Sequence, residues 1–186
     1  MKVFEPKLWH KVTEGIMSGE GVEHYKKYLK DVESLYKSRE LLKLKDSETV
    51  VYEVYSFSEG EAEKPGNLYW GMTVMNPIYV DGECNMTRGH FHQDRNCAEY
   101  YFGIEGEGLL LFMDDAGKMW AEKIVKGSLH YIDGGYAHRL VNVGDTVLKV
   151  GACWPTTAGH NYAAIERREF PYRVYKVHGE VRFVER

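Results

Sequence analysis

The 186-residue chain contains no run of about 18 apolar residues, the length a helix needs to cross a bilayer. No membrane partner is expected. Its opening, Met1-Lys2-Val3-Phe4-Glu5-Pro6, lacks the apolar core of a signal peptide, so a cytoplasmic location is expected. Cysteine is scarce and odd in number: Cys84, Cys97 and Cys153 stand alone, without CxxC spacing, which argues against a disulfide framework. An excess of positive charge is also missing. With a formal net charge of -4, the chain gives no reason to expect a nucleic-acid partner. Internal repeats, low-complexity tracts and obvious linkers are absent as well.

What is present has the balance of a folded domain. Hydrophobic residues make up 44% and charged residues 28%, and the length suffices for a single domain with a proper core. Val22, Tyr25, Leu29, Val32 and Tyr36 recur at spacings of three and four, which predicts a helix from about Gly21 into the forties. From Thr49 the texture changes to β-branched and aromatic residues cut by glycine and asparagine. Strands are predicted over Val50–Phe57, Leu68–Met75, Glu99–Ile104, Leu109–Met113, Met119–Val125 and Thr146–Cys153. Glu59–Gly66 reads as a charged loop, and Arg173–Val177 and Glu180–Val184 flank a hairpin turn at His178-Gly179. The expected architecture is mainly β, a double-sheet barrel over residues 49–186. Residues 1–48 are expected as an arm and helix packed outside it, the whole forming one structural domain. The 14 tyrosines suit inward barrel positions where a ring and a hydroxyl are both useful.

One pattern carries chemistry. In an extended strand residues i and i+2 share a face, so His90 and His92 can aim both imidazoles into one cavity while Phe91 points away. Glu99 follows on the next stretch of backbone, and His138 can complete the set from a distant strand. Three nitrogens and one oxygen suit one divalent transition metal, with Fe(II) taken first and Mn(II), Ni(II) or Zn(II) as the other candidates. Ca(II) and Mg(II) prefer all-oxygen shells. Four protein ligands on an octahedral ion leave roughly two positions for water or substrate.

Around these four residues the spacing resembles the two motifs of the cupins. His90-x-His92, Glu99 and Gly106 follow the first motif; Gly127, Asp133, Gly135, His138 and Asn142 follow the second. Asp133 stands where the second motif has proline, and Cys84 where the first opens with glycine. The resemblance then narrows. Val51-Tyr52-Glu53-Val54-Tyr55, Thr87-Arg88-Gly89-His90-Phe91-His92, Ala98-Glu99-Tyr100-Tyr101, Ala137-His138-Arg139, Asn142-Val143-Gly144-Asp145 and Ala158-Gly159-His160-Asn161-Tyr162 are similar to the cupin-type phosphoglucose isomerases. The likeness runs from about Phe4 to the C-terminal hairpin.

That resemblance implies interconversion of glucose 6-phosphate and fructose 6-phosphate, with His90, His92, Glu99 and His138 as metal ligands. It implies that Thr73, Thr87, Gly89 and Tyr162 surround the sugar phosphate, and that Tyr52, Tyr101 and His160 line the pocket. Two family tyrosines are replaced here, by Gly135 and Trp154. Proton transfer between C1 and C2 needs a base, for which Glu99 is the first candidate and His160 a partner; a hydride shift would need none. A homodimer is implied too, and exposed strand edges and the apolar arm support it. Two other functions remain open at this stage: an Fe(II)-dependent dioxygenase using the same ligand set, and a sugar-phosphate-binding protein without turnover.

Overall fold

The computed structural model describes residues 1–42, 45–61 and 64–186. The chain begins with a small hairpin, β1 (Leu8–Lys11) and β2 (Ile16–Gly19), then β3 (Glu23–Tyr28). Two short helices, α1 (Leu29–Val32) and α2 (Arg39–Leu42), follow, separated by a 3-10 turn at Glu33–Leu35. Next come β4 (Val50–Ser58), β5 (Leu68–Met75), β6 (Tyr79–Val80), β7 (Glu83–Cys84), β8 (Phe91–His92) and β9 (Glu99–Glu105). After these run β10 (Gly108–Met113), β11 (Met119–Ile124), β12 (Leu129–Ile132), β13 (Ala137–Asn142) and β14 (Leu148–Pro155). The chain ends with β15 (His160–Asn161), α3 (Tyr162–Arg167), β16 (Tyr172–Val177) and β17 (Glu180–Glu185).

The continuous helix expected from Gly21 into the forties does not form, and residues 43 and 44, on which part of it falls, lie outside the described residues. The spacing of three and four is genuine only from Leu29 to Tyr36, where Leu29, Val32 and Tyr36 are buried. Upstream, β3 pairs with β4 from Glu23↔Ser56 to Lys27↔Tyr52, so residues expected outside the barrel become an edge strand of its main sheet. The reason lies in backbone partners. The N–H groups of Leu29 and Lys30 donate to the carbonyls of Thr49 and Ser47, so the chain turns here instead of winding on. The charged loop at Glu59–Gly66 includes residues 62 and 63, also outside the described residues.

Two layers enclose the core. One is a six-stranded sheet in the order β12-β9-β14-β5-β4-β3. The other is built from the three-stranded sheet β11-β10-β13 and the β15-β8 pair, joined through the bridges Met86↔Val141 and His90↔His138. All pairings between described strands are antiparallel, as an edge-closing barrel of hairpins requires. Val51, Met75, Leu110, Phe112, Ile132 and Val150 fill the space between the layers. Two buried amides tie the ends of the strands: Asn85 Nδ2 donates to the carbonyls of Val51 (2.7 Å) and Asn76 (2.9 Å), and Asn142 Nδ2 to those of Met75 (2.9 Å) and Thr146 (3.0 Å). The β16-β17 hairpin closes the far end through Arg173, whose guanidinium meets buried Glu83 at 2.7 Å.

Candidate metal centre and active site

Period-two geometry places the four residues read from the sequence in one spot. His90 and His138 exchange backbone hydrogen bonds across the two segments (3.2 and 3.0 Å), which sets their rings side by side, 4.3 Å between centroids. His92, two residues on, shares that face, while Phe91 turns away into the core beneath the Arg95 guanidinium. Glu99 enters from the first position of β9. Its Oε2 lies 3.2 Å from Nε2 of both His92 and His138. One ligand atom from each of His90, His92, Glu99 and His138 falls within 4.8 Å of all the others.

The approach to this cluster depends on one glycine. Gly89 has φ +77°, and a Cβ there would meet the Phe170 ring at 2.9 Å and the His138 carbonyl at 3.0 Å. Only glycine lets the backbone turn that tightly against β13. The loop between His92 and Glu99 has its own task. Asp94 accepts from the Asn96 N–H at 2.9 Å and its carbonyl from the Cys97 N–H, which fixes the Cys97 carbonyl 2.7 Å from His92 Nδ1. A carbonyl can only accept, so Nδ1 carries hydrogen and Nε2 is the nitrogen turned inward.

Electrostatics match a cation site. His90 Nε2 and both ring nitrogens of His138 are buried without a hydrogen-bond partner; the 3.2 Å approach of His138 to Glu99 lacks hydrogen-bond geometry. Buried polar atoms are seldom left so, and the two rings, with one lone pair each, suit a ligand that needs lone pairs. Burial, reinforced by His138, His160 and His92, holds the His90 pKa well below its ordinary value, so its ring is neutral. Burial would raise the Glu99 carboxyl, but the imidazoles at its Oε2 outweigh it and keep the group ionised. For His92, burial acts downward and is overcome by Glu99 and the Cys97 carbonyl, leaving its pKa raised. Three imidazoles around a carboxylate are the donor set of a divalent transition metal, and the residues fit one.

A cavity of about 460 Å³ opens on this cluster. Thr73, Thr87, Gly89 and Tyr162, which the resemblance implies around the sugar phosphate, line it, and so do Tyr52, Tyr101 and His160, which it implies along the pocket. Tyr52 and Thr73 face it from β4 and β5, Tyr101 from β9. Thr87 Oγ1 accepts from the Leu140 N–H at 3.1 Å, which leaves its own O–H to donate. His160 is exposed, with its ring 4.3 Å from that of His90 and stacked 5.7 Å from that of Tyr162. Desolvation lowers its pKa, Glu99 opposing and His92 and His138 adding to the effect, so the ring is neutral at pH 7.

Other wall residues were not read from the sequence. Glu23 and Tyr25 come from β3, the strand mistaken for a helix; Arg88 sits inside the matched Thr87–His92 segment; Tyr69 is stacked 5.1 Å from Trp154. Of the two positions where the resemblance implies a tyrosine, Trp154 lines the cavity and its ring occupies the space a Cβ on Gly71 would need. Gly135 lies instead in the turn before β13, where its N–H donates to Asp133 Oδ1 at 2.8 Å. That bond gives Asp133, in the proline position, a turn-forming role of its own.

An antiparallel two-layer barrel with three histidines and a glutamate gathered inside is the arrangement of a cupin. Residues 26–185 match the family model of glucose-6-phosphate isomerase (GPI). The chain belongs to that family. It is 37% identical to the glucose-6-phosphate isomerase of Pyrococcus horikoshii over 79% of this chain and 76% of that protein. With that of Thermococcus kodakarensis the identity is 37% over 78% and 75%, and with that of Pyrococcus furiosus 33% over 89% and 88%. Among solved structures, oxalate oxidase in complex with the substrate analogue glycolate superposes with a TM-score of 0.47 at 20% identity, over 60% of this chain and 56% of that one.

Proposed function

We propose that this protein interconverts glucose 6-phosphate and fructose 6-phosphate, and that His90, His92, Glu99 and His138 hold one divalent transition metal, Fe(II) first among the candidates. The observation that carries the reading is the convergence of that donor set with a hydroxyl-lined cavity in a chain of the glucose-6-phosphate isomerase family. A divalent ion held by His90, His92, Glu99 and His138 would supply Lewis-acid stabilisation of the negative charge that develops during isomerisation. The chain supplies the rest. Thr73, Thr87, Tyr162 and the Gly89 N–H donate to the phosphate, which fixes the sugar; Tyr52 and Tyr101 wall off its carbon chain. Glu99, ionised and buried beside the cavity, takes the proton from C2 of the aldose and returns it to C1. The second transfer, of the hydroxyl proton from O2 to O1, is assigned to His160 at the cavity mouth.

The dioxygenase reading suits a hydrophobic substrate pocket, and the hydroxyls here argue for a polyol phosphate instead. Anaerobic incubation of wild-type protein with fructose 6-phosphate is expected to yield glucose 6-phosphate. Failure to do so with a full complement of metal would overturn the assignment.

We further propose a homodimer acting in the cytoplasm. Phe102 pairs with Leu129 and Tyr100 with Tyr131 on the outer face of the six-stranded sheet, where all four are exposed and form a contiguous apolar surface continued by Trp70. Patches of this kind mark association surfaces. The three cysteines are free thiols, which suits a reducing compartment, and no helix of the described residues is long and apolar enough to cross a membrane. Sedimentation as a monomer would contradict the dimer.

A further inference from the structure

The hydroxyls assigned to the phosphate donate hydrogen bonds but carry no charge. The cavity that receives it already holds two carboxylates, Glu23 and Glu99. A divalent ion held by Glu99 offsets those two charges and leaves none over, so a phosphate dianion would enter without a counter-charge and be only partly compensated for its lost hydration. Among the described lining residues a single lysine or arginine is found, Arg88. It lies between Thr87 and Gly89, the two residues already placed at the phosphate.

The backbone that carries Arg88 is held firmly. The buried Arg139 side chain, packed over Phe170 at 4.5 Å, donates two hydrogen bonds to the Arg88 carbonyl, one from Nε at 3.2 Å and one from Nη2. The Arg88 side chain is by contrast lightly held. Its guanidinium carbon sits 5.8 Å from the centre of the Tyr162 ring, and Nη1 reaches Glu166 Oε1 at 3.4 Å across solvent. An exposed pair of that length contributes little to stability and is readily exchanged. Glu166 stands on α3, one turn beyond Tyr162, so the pairing keeps the guanidinium at the cavity rim.

We propose that Arg88 is the charged residue that recognises the substrate phosphate, and that Glu166 is a resident counter-ion which the phosphate displaces. The proposal rests on the isomerase reading for its substrate and names a residue that reading does not use. A guanidinium offers two parallel donors to a phosphate, a fit that the ammonium of lysine reproduces only as a point charge. The consequence is discrimination between a sugar phosphate and the neutral sugar at the rim, before the sugar reaches Glu99.

The test uses the whole protein in two formats. In the isomerase assay Arg88→Ala is expected to raise KM for fructose 6-phosphate roughly 10- to 100-fold while kcat stays within about 3-fold, the range for losing charge-assisted hydrogen bonds made equally in ground and transition states. Inhibition by inorganic phosphate should weaken in parallel, Arg88→Lys should recover part of both losses, and Glu166→Gln should tighten both constants about 2- to 5-fold. Calorimetry of inorganic phosphate binding to metal-free protein should show the same order of variants. The Arg139 anchor uses the Arg88 carbonyl, so Arg88→Ala keeps the fold. Wild-type KM and wild-type phosphate affinity in Arg88→Ala would overturn the proposal, and unchanged constants in Glu166→Gln would overturn its counter-ion half. If wild-type protein binds phosphate through Arg88 but does not isomerise the sugar, the isomerase reading fails and the phosphate site stands.

Discussion

Two places in this barrel hold histidines with buried ring nitrogens, and they differ in one respect. His130, on β12, has both ring nitrogens engaged, Nδ1 with Glu122 Oε2 at 2.7 Å and Nε2 with Ser128 Oγ at 2.8 Å. It faces Tyr101 across the β9 ladder. His90 and His138, in the facing layer, leave three nitrogens without a hydrogen-bond partner. Burial alone therefore does not mark a functional histidine. A satisfied ring is part of the scaffold, whereas a cluster of unsatisfied ones is stable only with something else to bind, and here that need is met next to a carboxylate and a cavity.

The contrast is broken most forcefully at the unsatisfied cluster. His90→Ala or His138→Ala is expected to remove bound metal and to lower kcat/KM by about 1,000-fold or more, with circular dichroism unchanged. Metal retained at wild-type stoichiometry in either variant would place the ion elsewhere. Glu99→Gln separates holding the ion from moving the proton. Its amide oxygen still coordinates, so metal should be partly kept while kcat falls about 100- to 10,000-fold with little change in KM. Near-wild-type turnover with metal bound would shift the base to His160 or replace proton transfer by a hydride shift.

His130→Ala sharpens the comparison from the other side. Losing two hydrogen bonds at a buried position should cost about 1–2 kcal/mol in urea unfolding, while kcat/KM and metal content stay within about 2-fold of wild type. A collapse of activity there would mean that satisfied and unsatisfied histidines form one network. The smallest effect is expected at the cavity wall. Thr87→Ala should raise KM by the equivalent of about 1–2 kcal/mol and leave kcat nearly unchanged, because the phosphate is remote from the migrating proton. A fall in kcat at constant KM would move Thr87 from the phosphate to the reacting carbons.

The metal cluster was legible in the sequence because strand periodicity is rigid. His90 and His92 could only share a face if extended, and they do. The strands over Val50–Phe57 and Leu68–Met75 were legible because their texture is rich in β-branched and aromatic residues. β12 and β13 were not singled out as strands: Leu129–Ile132 is short and alternates exposed with buried, and Ala137–Asn142 is buried on both faces and carries His138, Arg139 and Asn142, polar types that mask a strand. The N-terminal helix was misread because helical spacing in Leu29–Tyr36 was extended back across β3. That error hid Glu23 and Tyr25, which stand on β3 and form one wall of the cavity. Thr73, Thr87, Tyr52, Tyr101 and Tyr162 were legible only through family resemblance. Nothing in the local sequence distinguishes Tyr52, Tyr101 and Tyr162 from the other tyrosines among the 14.

The central claim is that the four-residue cluster holds a divalent metal on which sugar-phosphate isomerisation depends. Exhaustively chelated protein, reconstituted separately with Fe(II), Mn(II), Ni(II) and Zn(II) and followed in a coupled assay for conversion of fructose 6-phosphate to glucose 6-phosphate, tests it most directly. The expected result is loss of activity on chelation and its return at one ion per subunit, with Fe(II) among the most effective. Full activity in protein shown to be free of metal would contradict the claim.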